Sequence, residues 1–213
     1  GMRNLGIATI FTFGTLAQAE PVTIAALGDS LTAGYGLDTA DGLVPQLEVW
    51  LRARGADVVL INAGVSGDTT AGGLSRVDWT LTPEVDGMIV TLGGNDFLRG
   101  IDPAVSRENL RGILQAAADA DVAVLLIGIA ASNNYGPDYK ADFDAMYPAL
   151  AAEFNVQLVP RYFQGLLDAA GSQEKVRNLM QRDGIHPNPA GVKAIVEALG
   201  PEVLAFVARV SAQ

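Results

Sequence analysis

Short, almost wholly apolar runs alternate along this chain with longer segments whose apolar residues recur every three or four positions. Residues 22–27 form the first such run and end at Gly28. A strand wet on one face would alternate apolar and polar positions, so an unbroken run predicts a strand covered on both faces. Residues 58–62, 88–92, 122–129 and 156–159 repeat the pattern. Between them, residues 43–54 carry apolar positions at helical spacing and stop at Gly55, and residues 74–81 predict a second helix. Residues 105–118 predict a third, with Pro103 in a first turn that tolerates it; residues 143–154 and 190–210 add two more. Parallel neighbours need crossover connections, so this alternation implies a parallel sheet with helices on both sides. The expected class is α/β: a three-layer α/β/α sandwich around a five-stranded parallel sheet, flavodoxin-like in strand order.

In such sheets the ligand site lies beyond the carboxyl ends of the strands. After the first strand comes Gly28-Asp29-Ser30-Leu31, after the second Asn62 to Asp68 with Gly67 inside it, and after the third Gly93-Gly94-Asn95-Asp96. All three segments leave the same edge. Asp183-Gly184-Ile185-His186-Pro187-Asn188 precedes the last helix and is free to fold over that edge.

Composition narrows the chemistry. A chain of 213 residues, 49% hydrophobic and 18% charged, suits one globular domain, placed here at residues 20–213. Without cysteine it has no disulfide, thiolate metal site or cysteine nucleophile, so oxygen and nitrogen groups must do the work. A net charge of −10 argues against nucleic acid and anionic membrane surfaces as partners. The N-terminus reads as a secretory signal peptide: Gly1 as a cloning scar before Met2, Arg3 as the positive region, an apolar stretch over residues 5–16, then Ala17-Gln18-Ala19. Cleavage is expected after Ala19, giving a periplasmic or secreted protein with no stable membrane anchor, monomeric or weakly dimeric.

In order and approximate spacing, the G-D-S-L, S-G-D, G-G-N-D and D-G-I-H-P-N segments resemble those of the SGNH (GDSL-type) hydrolases. Leu98-Arg99-Gly100 after the third block and Asn134-Tyr135-Gly136 later on resemble the small periplasmic branch of arylesterases, thioesterases and lysophospholipases. The resemblance implies Ser30 as nucleophile, and an oxyanion hole from the Ser30 and Gly67 N–H groups and the Asn95 side chain. Asp183 and His186 would complete a triad. It also implies esters or thioesters of fatty acids, aryl esters or lysophospholipids as substrates.

Residue chemistry points the same way. Serine attacks poorly until a base accepts its proton, and His186 is the chain's one histidine. Asp183, three residues before it, is close enough for a turn to place its carboxylate on the ring, although a capping role is the alternative. Gly67 offers an N–H with no side chain in the way, and Asn95 an amide NH₂; a turn glycine and an Asx turn are the alternatives. Asp29 and Asp68 are expected to brace loops, Asp29 turned outward to backbone N–H groups. Leu98, Ile101, Tyr135, Tyr139, Ile185 and Pro187 could line an acyl groove or simply pack. No metal, nucleotide or redox cofactor is indicated, because HExxH, P-loop and dinucleotide motifs are missing. The G-x-S-x-G elbow of the α/β-hydrolase fold is missing too. A two-carboxylate glycosidase would leave Ser30 and His186 idle. Two readings compete with an esterase: a carbohydrate deacetylase or acyltransferase of the same family, and a binding module without catalysis.

Overall fold

The computed structural model describes residues 20–213, so the expected leader at residues 1–19 lies outside the described residues. Five strands form one parallel sheet in the order β2-β1-β3-β4-β5: β1 Val22–Gly28, β2 Val58–Gly64, β3 Gly87–Thr91, β4 Ala123–Ile127 and β5 Gln157–Val159. This is the flavodoxin-like order. The central strands are the most apolar: β3 is buried along its whole length, as are the last five residues of β1 and last four of β4. Edge strand β2 carries the exposed positions of the sheet, and β5 is buried only at Val159.

The longer helices are α2 Leu43–Arg52, α3 Thr70–Thr80, α5 Pro103–Asp119, α6 Pro137–Phe154 and α8 Pro189–Val210. α2 packs on α8, and α8 on the short helix α7 (Gln164–Ala170), forming one outer layer. α3, α5 and α6 form the other. Two further short helices sit at the sheet's carboxyl edge, α1 Ser30–Ala33 and α4 Gly94–Leu98.

The differences from the sequence reading have local causes. α3 begins four residues before the expected start, because Thr69 caps it by accepting the Gly72 N–H at 3.3 Å. Gly73 then replaces an apolar contact with close approach: a Cβ there would run into Leu92. α6 starts at Pro137, a first-turn proline, six residues before its apolar face begins. α1, α4 and α7, at four, five and seven residues, are too short to show helical periodicity.

Candidate active site

Every segment singled out at the sheet edge converges on Ser30. Gly28 ends β1, and Ser30 opens α1, whose N-cap is Asp29; the Asp29 Oδ1 accepts the Leu31 N–H at 3.0 Å. The turn is tight, since a Cβ on Gly28 would collide with Thr32 of that same helix. The His186 loop closes over from the other side: Nε2 lies 2.8 Å from Ser30 Oγ, and Nδ1 lies 2.7 Å from Asp183 Oδ2. The other Asp183 oxygen accepts the backbone N–H groups of Ile185 and His186 at 2.9 and 3.0 Å. The ring N–H of His186, and after it these two backbone donors, hold the Asp183 carboxyl down at about 2. Asp183 therefore carries its charge where it orients the ring. Tyr35 tilts over the imidazole with ring centroids 4.6 Å apart.

The two other predicted donors, Gly67 and Asn95, line the same cleft as Ser30 and His186. Gly67 has φ +86°, a left-handed conformation suited to glycine, and its carbonyl accepts Arg99 Nη2 at 2.8 Å. Asn95 Nδ2 donates to the Asp68 carbonyl at 2.9 Å and, less closely, to Asp29 Oδ2 at 3.3 Å. Asp68 braces this loop through Arg76, with Nε to Oδ2 at 2.6 Å, while Arg76 also holds the carbonyls of Gly28 and Ala63. Asp29 departs from expectation. It does not turn outward but is 1% exposed beside Ser30, because capping Leu31 with one oxygen leaves the other facing Asn95. Burial pushes its carboxyl up to about 6, against the lowering effects of the Leu31 N–H, His186 and Asn95.

A cleft of about 800 Å³ opens from Ser30 and His186. Its walls are largely apolar: Leu31, Tyr35, Phe97, Leu98 and Ile129 line it together with Phe163, Leu166, Leu167, Val176 and Met180, and Ile185 lies beside His186. Of the expected groove residues, Leu98 and Ile185 line it. Ile101, Tyr135, Tyr139 and Pro187 do not. Tyr135 and Tyr139 stand behind Phe97 and donate to the carbonyls of Leu98 and Ile101 at 3.2 and 2.8 Å, and Pro187 is buried against Gly191. These side chains support the wall instead of forming it. A smaller hollow of about 350 Å³ at the far edge, beside Phe154 and Phe206, contains none of the predicted site residues.

Sequence reasoning also passed over Asp96 and Gln181. Asp96 is fully buried and accepts Thr70 N at 2.8 Å, Thr70 Oγ1 at 2.5 Å and Ser106 Oγ at 2.9 Å. It thus ties α4, which carries Asn95, to the start of α3 just after the Gly67 loop. Its place in G-G-N-D was visible, but nothing in the sequence shows three donors converging on it.

A serine hydrogen-bonded to a histidine–aspartate pair, at the carboxyl edge of a flavodoxin-ordered sheet, defines a serine hydrolase. Residues 26–194 match the GDSL-like Lipase/Acylhydrolase family, and the chain belongs to that family. It is accordingly a serine ester hydrolase. The esterase TesA of Pseudomonas aeruginosa is 40% identical over 185 residues, which cover 86% of this chain and 89% of that protein. A protein of Escherichia coli strain K12 named thioesterase 1/protease 1/lysophospholipase L1 is 38% identical over 177 residues, covering 82% of this chain and 79% of the relative. Among solved structures, the psychrotrophic esterase EstA from Pseudoalteromonas sp., inhibited by monoethylphosphonate, superposes with a TM-score of 0.78. It is 33% identical and covers 87% of this chain and 98% of its own.

Proposed function

We propose that this hydrolase cleaves carboxylic esters of apolar acyl groups through an acyl-enzyme on Ser30. The observation that carries the proposal is the continuous contact from Ser30 Oγ through the His186 ring to Asp183. His186 Nε2 takes the hydroxyl proton as Oγ attacks the carbonyl carbon, and Asp183 stabilises the imidazolium formed. The tetrahedral oxyanion is received by the Ser30 and Gly67 N–H groups and by Asn95 Nδ2, each donor contributing about 3 kcal/mol in comparable sites. For Asn95 the longer contact, to Asp29, is the one exchanged for the oxyanion. His186 then returns the proton to the leaving alcohol. In a second cycle it activates a water that releases the acid and regenerates Ser30.

The apolar cleft supports acyl chains, whereas a deacetylase of polymeric carbohydrate calls for an open polar one. Thioesters and lysophospholipids belong to this proposal through the name of the Escherichia coli relative, aryl esters through the resemblance of Leu98-Arg99-Gly100 and Asn134-Tyr135-Gly136 to the arylesterase branch, and export through the leader-like sequence of residues 1–19. The test is hydrolysis of p-nitrophenyl acetate, butyrate, octanoate and palmitate by the wild type, Ser30→Ala and His186→Ala. Both variants should lose at least ~10³-fold. Leu167→Trp, which fills the cleft, should selectively slow the octanoate and palmitate. Turnover of none of these esters, with no fluorophosphonate bound at Ser30, leaves a binding module in place of an enzyme.

A further inference from the structure

We infer that Gln181 is a positioning residue that sets the distance between nucleophile and base; this rests on the proposed roles of Ser30 and His186. Its side-chain Nε2 donates to two carbonyls, Tyr35 O at 2.8 Å and Pro187 O at 3.0 Å. Those acceptors belong to segments about 150 residues apart. Tyr35 follows the nucleophile helix α1, and its own N–H donates to the Ser30 carbonyl at 3.1 Å. Pro187 follows the base. Two carbonyl acceptors require two N–H groups on one atom, which an amide supplies and a carboxylate, thioether or hydroxyl does not.

The backbone of Gln181 makes the same connection from its other side. Its N–H donates to the His186 carbonyl at 2.7 Å, Asn188 N–H donates to the Leu179 carbonyl at 2.9 Å, and Met180 pairs with Pro187 in an isolated antiparallel bridge. The histidine loop is therefore a closed clip, and the Gln181 side chain is the bond that fastens this clip to the nucleophile segment. Gly36, at φ +75°, completes the fit, since a Cβ there would strike Gln181 Oε1. Gln181 touches neither Ser30 Oγ nor the His186 ring in these contacts, so it acts through the segments that carry them.

The experiment compares wild type, Gln181→Met and Gln181→Glu in three readouts: kcat and KM on p-nitrophenyl butyrate, the rate of fluorophosphonate labelling of Ser30, and the melting temperature. Methionine keeps the length and removes both donors. It should lower kcat and the labelling rate together by about tenfold, the scale expected when a reacting pair is displaced by a fraction of an ångström, with KM little changed. Glutamate adds a pH signature, because only its protonated form can donate to either carbonyl; Arg182, Asp183 and His186 are the ionisable residues of the clip and are present in all three proteins. The activity of Gln181→Glu relative to wild type should fall as pH rises from about 4 to 6, through the ordinary glutamate range, while that of Gln181→Met stays flat. A role confined to stability would lower the melting temperature and leave the labelling rate of the folded protein intact, which overturns the inference. So does labelling at the wild-type rate in both variants. Failure of the wild type itself to label at Ser30 instead overturns the functional reading beneath it.

Discussion

Replacing Asp29 with asparagine should make the protein more stable at pH 8 and not at pH 4. The carboxyl is lifted from 3.8 to about 6, chiefly by burial. Above pH 6 both folded and unfolded chains carry the charge, and the folded one holds it where ionisation is unfavourable, at a cost of roughly 3 kcal/mol. Between pH 6 and 4 the folded state binds the extra proton, so this group's contribution to stability rises as pH falls. Below 3.8 both states are protonated and the cost is gone. Asparagine is neutral throughout and can still cap Leu31 with its oxygen, but its NH₂ then faces the Asn95 NH₂, a mismatch worth about 1 kcal/mol. The variant should therefore gain about 1 to 2 kcal/mol at pH 8 and lose up to about 1 kcal/mol at pH 4. Urea unfolding at pH 4, 6 and 8 reads the difference directly, since every other titrating group is common to both proteins. A difference that stays constant across the three pH values refutes the argument, because it means the Asp29 carboxyl is not lifted. Ester turnover should fall while stability rises, as expected where a site holds groups that the fold alone would not choose.

Three further outcomes are expected. Asp96→Ala leaves the buried Thr70 N–H without its acceptor and should cost about 3 kcal/mol in urea unfolding, with Asp96→Asn losing less because one oxygen remains. Asp183→Asn should lower kcat about 10³- to 10⁴-fold; and because a depressed carboxyl contributes stability above its unfolded value and loses it as pH falls, its stability deficit should close between pH 4 and pH 2. That deficit is small at any pH, since the side chain is about one-third exposed and screened by solvent. Gly93→Ala forces a Cβ into Tyr147 Oη at a residue with φ +119°, and a fall in melting temperature equivalent to about 2 to 3 kcal/mol should follow.

The sheet was legible because burial on both faces leaves an unbroken apolar run, which is how β1, β3 and β4 announce themselves. Ser30, Gly67 and Asn95 were legible as positions because each lies in a short segment after such a run, and Asp183 and His186 because theirs directly precedes the last helix. The inward turn of Asp29 was not, since the decision between water and Asn95 is made by the capping geometry of a four-residue helix. Nor was the part of the cleft wall around α7. Phe163, Leu166 and Val176 look in sequence like ordinary core residues, and only the fold of α7 and the turn after it brings them into one cleft with Leu98. Tyr135 misled in the opposite sense, being an exposed aromatic near the site that spends its ring on Phe97 and Tyr139.

The converging residues enter the chain in two separate instalments. Ser30, Gly67 and Asn95 all come from the first half, in the segments that follow β1, β2 and β3, while Asp183 and His186 arrive more than 80 residues later, beyond the exposed turn at Gly171-Ser172-Gln173-Glu174. Opening the backbone at that turn divides the chemistry into a fragment with an attacking group but no base, and a fragment with a base but nothing to activate. Each is silent alone. Because α8 packs on α2 and α7 across the division, ester hydrolysis by such a divided molecule would count reunited pairs, making the enzyme its own reporter of fragment association.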